Sequence, residues 1–331
     1  MDQTNHGAPR PFTVRPGLDA DYPAMADLYN QTAPAPLTAG ELAGQGARHA
    51  KAGPYVRLML VDGAGAPRGF AMLWQEPWRE PRNMNFTVKV APVCHGQGGG
   101  GMLYEAVEEQ ARALGARVLD TFVRDDVPAW RTFAERRGYA EAEHFRRSAL
   151  DLDAWDPAPF RAAVDRALAA GYRFIRLADE GPTEEAKRRL YELDMDCARD
   201  EPGMTDNQEW PPIGFEEYQR DLLTGPRFDP AGIFLAVKDG EWVALSGCHY
   251  PPEKPSADVF FTAVRRGHRG HGLAQACKYF ATLYAKEKGI RQLLTSNHNE
   301  NPAMLAVNRK FGFVPLPGSY VMRKELPGGS R

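Results

Sequence analysis

Val264-Arg-Arg-Gly-His-Arg-Gly-His-Gly272 lies over Val90-Ala-Pro-Val-Cys-His-Gly-Gln-Gly98 without a gap, at an offset of 174 residues. Carried forward, the same offset pairs Gly96 with Gly270, Gly98 with Gly272, Gly115 with Gly289, Arg117 with Arg291, Leu119 with Leu293 and Thr121 with Thr295. It also pairs Pro128-Ala129 with Pro302-Ala303 and Gly138-Tyr139 with Gly312-Phe313. Gly and Pro punctuate turns and helix ends. Punctuation that agrees in one register means that the chain holds two copies of one unit.

Each copy reads as strand, glycine turn, helix, strand, helix, strand. In the second, residues 258–264 are rich in Val, Phe and Thr and predict a strand. Leu273, Ala276, Cys277, Phe280 and Tyr284 then recur at helical spacing up to Gly289, a C-terminal glycine. Residues 290–295 predict the next strand, and Pro302 opens a helix whose apolar face is Met304, Val307 and Phe311. The first copy repeats this with strands at 84–90 and 117–123 and helices at 102–114 and 128–137. Upstream of each unit come a short strand (12–15, 174–177), a helical stretch (Leu28-Tyr29, Leu190-Tyr191) and a strand pair (56–61 with 69–74, 233–237 with 243–249). The expected organisation is a polar, disordered tail at 1–10, an N-terminal domain at 11–153, a linking helix at 154–171, a C-terminal domain at 172–326 and a tail at 327–331.

Of 331 residues, 43% are hydrophobic and 25% charged, and 41 basic against 43 acidic side chains leave a net charge of −2. This is the balance of a globular protein, with no global field for nucleic acid or for a membrane surface. No apolar run reaches membrane-spanning length, and the first residues lack the charged and apolar regions of a signal peptide, so the expected location is cytoplasmic. Cys94, Cys197, Cys248 and Cys277 have neither zinc-like nor redox-motif spacing and are expected to be reduced and mostly buried, with no metal. A covalent cysteine mechanism is not expected.

A strand that runs through Arg269-Gly270-His271-Gly272-Leu273-Ala274 into a helix presents unpaired amides at the positive end of the helix dipole, which suits an anion. Taken alone, the same turn is equally an ordinary strand-to-helix connection. It is neither a Walker loop, lacking Gly-Lys-Ser/Thr, nor Gly-x-Gly-x-x-Gly.

Val264-x4-Arg269-Gly-x-Gly272-x-Ala274 resembles the acyl-CoA pyrophosphate signature of the GNAT N-acyltransferase superfamily. The run Thr295-x-Asn297-x3-Asn301-Pro-x-Met304-x3-Asn308-x3-Gly312-Phe313 is similar to that of bacterial tandem GNAT proteins, the two-domain group that includes mycothiol-synthase-like enzymes. The resemblance covers nearly the whole chain. It implies an α/β fold of two tandem GNAT-like domains, each a mixed, mostly antiparallel sheet flanked by helices, with a splayed pair of central strands. It also implies acetyl-CoA as donor and direct attack on the thioester by the primary amine of a small-molecule acceptor. Residue by residue, it puts CoA on Val264, Arg269, Gly270, His271, Gly272, Leu273, Ala274, Asn301 and Asn308. Asn308 stands where many members carry the Tyr that protonates the thiolate, and an amide has no titratable proton to give.

In the first copy His95, Gly96, Gln97, Gly98, Gly99 and Gly100 form the corresponding loop, while Val127 and Ala134 replace the two asparagines. Chemistry is therefore expected in the C-terminal copy, with the N-terminal one a scaffold or a non-catalytic CoA site. Candidate bases are Asp258, His249, His298 and Glu300; each is equally readable as a solvated charge or a satisfied imidazole. Between Glu192 and Asp221 ten acidic residues face only Arg199 and Arg220. They either attract a cationic acceptor, through Asp200 and Glu201 with Asn297 nearby, or coat solvated helices. Trp210, Pro211 and Pro212 add a stiff apolar element to the same segment. A CoA-binding sensor without turnover and a protein N-acetyltransferase remain as alternatives.

Overall fold

The computed structural model describes residues 11–33, 36–75, 82–202, 213–251 and 254–327; the tail expected at 1–10, and Trp210, Pro211 and Pro212, lie outside the described residues. The chain divides into two compact units. The first runs up to Val123 and adds Ala129–Ala142 and the residues from Val321 onward; the second holds Arg124–Pro128 and Glu143–Tyr320.

In chain order the first repeat consists of β1 (Phe12–Pro16), α1 (Tyr22–Asn30), α2 (Ala39–Ala52), β2 (Tyr55–Asp62), β3 (Pro67–Gln75), β4 (Asn83–Val90), α3 (Gly99–Ala113), β5 (Val118–Arg124), α4 (Pro128–Glu135) and β6 (Ala140–Asp151). After α5 (Ala158–Ala169) the second repeat follows as β7 (Arg173–Arg176), α6 (Glu184–Ala198), α7 (Phe215–Leu222), β8 (Ile233–Lys238), β9 (Glu241–His249), β10 (Ser256–Val264), α8 (Leu273–Glu287), β11 (Gln292–His298), α9 (Pro302–Phe311) and β12 (Val314–Glu325). The two repeats thus run through the same elements. Each glycine pair that fixed the offset shares a left-handed backbone: Gly96 and Gly270, Gly98 and Gly272, Gly115 and Gly289, Gly138 and Gly312 all have positive φ.

Unit one is a sheet in the order β1-β2-β3-β4-β5 with the end of β12 next to β5. Its first four strands are antiparallel, and β4 runs parallel to β5 over Asn83–Phe86 and Val118–Thr121. Met59, Leu60, Phe70, Leu73, Leu103 and Leu119, all fully buried, fill the space between the sheet and its helices. Burial of side chains of this size contributes roughly 1.5–3 kcal/mol each. The buried carboxylate of Asp120 on β5 accepts two hydrogen bonds from Arg323 on β12, both at 2.8 Å.

Unit two has the order β7-β8-β9-β10-β11-β6, with the first part of β12, up to Tyr320, next to β6. From β7 to β6 the neighbours are antiparallel except β10 and β11. α5 belongs to this unit's core: Phe160 stacks on Phe311 with ring centroids 4.2 Å apart, and Trp155 stacks on both. Among the described residues, no helix is long and apolar enough to cross a membrane.

α2 and α7 were not expected. α2 carries Gly44 and Gly46 inside it, which obscures its period, yet Thr38 and Glu41 form a capping box at its start. α3 begins at Gly99, earlier than the apolar pattern suggests, and its first residue packs on the core, where a Cβ at Gly99 would stand 2.6 Å from Leu60 Cδ2. Gly69 on β3 is under a harder constraint, since its Cβ would lie 2.6 Å from the Lys89 carbonyl oxygen on β4. Gly69→Val should therefore destabilise unit one by about 1–3 kcal/mol, the usual cost of overpacking. Chemical denaturation would check it, and an unchanged midpoint would contradict this account of the β3–β4 contact.

Candidate functional site

The site of unit two begins where two strands part. β10 and β11 pair only through Ser256–Asp258 and Gln292–Leu294, after which no pairing joins them. β10 also shifts register against β9 between Val259 and Phe261. Alternate amides of β10 beyond that point face the opening rather than a partner strand. A cleft of about 810 Å³ occupies the opening, walled by Val259–Val264, by Thr295, Ser296 and Asn297, and by the turn that leads into α8. Of the residues singled out in the sequence, it brings together Val264, Arg269, Gly270, His271, Gly272, Leu273, Ala274, Asn297, Asn301, Asp200 and Glu201. Asn308, Asp258 and His249 are not among its lining residues.

The turn is shaped to present its backbone. Gly270 has φ 84° and Gly272, the N-cap of α8, has φ 77°. No side chain caps this helix, whereas Thr183 caps α6 and Asn301 caps α9 by accepting from Met304 N at 3.1 Å. The first-turn amides of α8 are thus left open at the positive end of the dipole, on the cleft. Arg269 donates from Nε to the Val264 carbonyl at 3.0 Å and from Nη2 to Asp200. Arg266 donates to the same carboxylate. These hydrogen bonds, with Arg266 first, bring Asp200 down to about 2. Asp200, grouped in the sequence with the acceptor, holds the arginines of the turn.

Deeper in the cleft lies a group that sequence reasoning missed. Lys278 of α8 is 2% exposed, lines the cleft and donates to Asn308 Oδ1. Asn308, itself 2% exposed, passes the contact on through Nδ2 to Asn297 Oδ1 at 2.7 Å. Burial lowers Lys278 to about 8. The offset of the repeat places Tyr104 at the matching position of the first copy, the one available hint that 278 is an interior site.

The remaining candidates are dispersed. Asp258 pairs with Arg227 at 2.8 Å and stands opposite His249 in the β9–β10 register. His249 is packed on Phe260, and burial brings it down to about 4, so it is neutral at pH 7. His298 is buried and accepts from Glu300 N at 3.1 Å. The acidic segment is divided: Glu192, Asp196 and Glu216 are exposed, whereas burial lifts Asp194 to about 7 although the Tyr218 hydroxyl donates to it at 2.6 Å, and burial also raises Glu201 on the cleft wall. Asp206 and Glu209 lie outside the described residues. All four cysteines are buried and free, and burial pushes Cys197 and Cys248 up to about 12 and Cys277 higher, which removes their thiolates.

Unit one repeats the opening on a smaller scale. A cleft of about 450 Å³ is lined by His95, Gly96, Gly98, Gly99 and Gly100, but with Tyr104, Trp130, Phe133 and Tyr139 crowding its interior. The ring Nε2 of His95 meets the Val90 carbonyl at 3.0 Å, the contact that Arg269 makes with Val264, and Gln97 turns its amide to the Val93 carbonyl at 2.9 Å.

The chain matches the model of the Acetyltransferase (GNAT) family twice, over residues 22–139 and 187–313, and it belongs to that family. It is a tandem member: an acetyltransferase-class enzyme with the domain repeated in an α/β fold of mostly antiparallel sheet flanked by helices. It is 30% identical over 110 residues to a mycothiol acetyltransferase of Streptomyces coelicolor, a match that spans 32% of this chain and 36% of that protein. It is 27% identical over 262 residues to a mycothiol acetyltransferase of Thermobispora bispora, covering 78% of this chain and 79% of that one. The solved GCN5-related N-acetyltransferase of Sphaerobacter thermophilus superposes with a TM-score of 0.72 at 20% identity, over 96% of this chain and 97% of the other, a likeness of fold.

Proposed function

We propose that unit two transfers an acetyl group from acetyl-CoA to the primary amine of a small-molecule acceptor by direct attack on the thioester. The observation that carries this is the uncapped start of α8, with its two left-handed glycines and Arg269, opening directly onto the gap between β10 and β11. This donor set fits a diphosphate followed by an apolar arm. Amides of Leu273 and Ala274 with Arg269 would hold the phosphates, and the alternate amides near Ala263 and Val264 would face the polarised carbonyl. Asn301, spent on its own helix cap through Oδ1, has its Nδ2 left for the donor. CoA supplies the activated acyl group; the chain aligns it and meets the charge that develops. Glu201 and Asn297, on the cleft wall, are assigned to the acceptor, and the raised carboxyl of Glu201 suits it to take a proton from an amine. The relatives named for mycothiol acetylation favour an acceptor that is a small metabolite.

Thiol release from acetyl-CoA across classes of amine, with Arg269→Glu as the blank, tests the reading. Release with a small amine supports it. Binding without release for any amine would instead make the protein a sensor, and release only with peptides would make it a protein acetyltransferase. The units should also be unequal. Arg269 is a permanent, pre-organised fork of donors, whereas the imidazole of His95 offers no such fork. Arg269→Ala should remove most turnover, through the loss of about 1–3 kcal/mol of charged hydrogen bonding. His95→Ala should leave turnover nearly intact. The reverse pattern in steady-state kinetics would assign the chemistry to the wrong unit.

A further inference from the structure

We propose that the Lys278 ammonium is the proton donor to the thiolate that leaves acetyl-CoA, an assignment that rests on the acetyl-CoA reading above. Three arginine or lysine side chains line the cleft: Arg166, Arg269 and Lys278. The two arginines are exposed at its mouth, and Lys278 is buried within it. Six residues into α8 from its N-cap, Lys278 stands roughly 9 Å along the helix axis, and helical side chains lean back toward the N-terminus. It therefore faces the interior of the cleft, past the turn that would hold the phosphates.

Burial makes the charge of Lys278 costly, and the attraction of two aromatic rings offsets only part of that cost. The Phe313 ring lies 4.6 Å and the Phe311 ring 6.0 Å from Nζ, and the Cys248 thiol on β9 is the titratable group that acts on it. From α9 it meets the Asn308 carbonyl oxygen, and Asn297 on β11 is one hydrogen bond further. Among the described residues no carboxylate pairs with it. An unpaired buried ammonium is expensive, and a negative charge that arrives during the reaction accounts for its position. In thioester aminolysis that charge forms on sulfur. Asn308 is fixed at both ends, so it points one N–H of Lys278 and leaves two for the cleft.

The step balances within the chain and solvent. As the acceptor nitrogen bonds to the acyl carbon, the C–S bond breaks with its electron pair on sulfur, and a proton passes from Nζ to sulfur. Lys278 is left as a neutral amine; the attacking nitrogen loses its own proton to Glu201, which passes it to solvent, and a solvent proton restores the ammonium. The depressed pKa of Lys278, near that of a thiol, keeps the transfer close to thermoneutral.

The test is the ultraviolet thiolate absorbance of bound CoA, titrated from about pH 5 to about pH 9 in the whole protein, with occupancy fixed by calorimetry. In the wild type, bound CoA should show about ten-fold more thiolate at pH 7 than free CoA, a shift of one pKa unit. Lys278→Met, an unbranched and uncharged replacement, should return the thiol to its free ionisation or suppress it. Lys278→Arg should keep the thiolate favoured across the whole range, and it decides the matter if the Met variant does not fold. A Met variant that binds CoA and ionises it as the wild type does, or an Arg variant that does not favour the thiolate, would overturn the assignment. Failure of the wild type to bind CoA at all would overturn the acetyl-CoA reading itself, and calorimetry tells the two failures apart.

Discussion

Gly272→Val should weaken acetyl-CoA binding about a hundred-fold, roughly 2.7 kcal/mol. Crowding is not the cause, for a Cβ at 272 would stand 3.7 Å from the Ala163 Cβ, an ordinary contact. The cause is the backbone. A β-branched residue held at φ 77° pays of order 1–2 kcal/mol. It relieves that strain by rotating out of the left-handed region, which turns the amides of the first turn of α8 away from the cleft. Gly272→Asn, which tolerates this conformation better, should lose distinctly less. Calorimetry on the folded variants distinguishes the two, and native affinity in Gly272→Val would remove the turn from the binding site.

Asp194→Asn should stabilise the protein at pH 8 by up to about 4 kcal/mol and leave it unchanged near pH 4. In the folded chain burial lifts Asp194 to about 7, from an ordinary carboxyl value of 3.8. Between those values the folded state holds a proton that the unfolded state has released, so stability falls as pH rises; above 7 the penalty is fully expressed. An amide at 194 still accepts the Tyr218 hydroxyl and has nothing to ionise. Glu201 is raised in the same sense, so some pH dependence should persist in the variant. Urea unfolding of both proteins at the two pH values is the measurement, and parallel pH profiles would show that Asp194 does not carry the effect.

The repeat and its turns were legible because glycine at positive φ leaves a mark that drift elsewhere does not erase: four pairs at one offset, all left-handed in both copies. The turn residues Arg269 to Ala274 were legible for the same reason, being defined by backbone shape. Lys278 was not, because it follows Cys277 on a helix, where a lysine ordinarily points to water, and only the three-dimensional packing of Phe311 and Phe313 shows otherwise. The acidic segment was legible only as a choice. Charge counted along the sequence left a field for a cation and a coat of solvated carboxylates both open, and it could not show that Asp200 is tied to Arg266 and Arg269 or that Asp194 is buried under Tyr218. Net charge is a sum over residues, whereas a field depends on which of them are already neutralised by a neighbour.

The closing strands have a bearing on biogenesis. β6, made at the end of the first repeat, is a strand of unit two, and the sheet of unit one receives at β5 the end of β12, fastened by Arg323 to Asp120. A ribosome emits the N-terminal repeat long before residue 323 exists, so the nascent unit one must wait with β5 as an open edge, the kind of surface on which chains aggregate. The closure joins positions some two hundred residues apart in sequence, and non-local pairing of that kind is slow. A gene cut between the repeats would accordingly yield two incomplete sheets, and co-expressed halves should recover a folded protein only as a mutually completed pair.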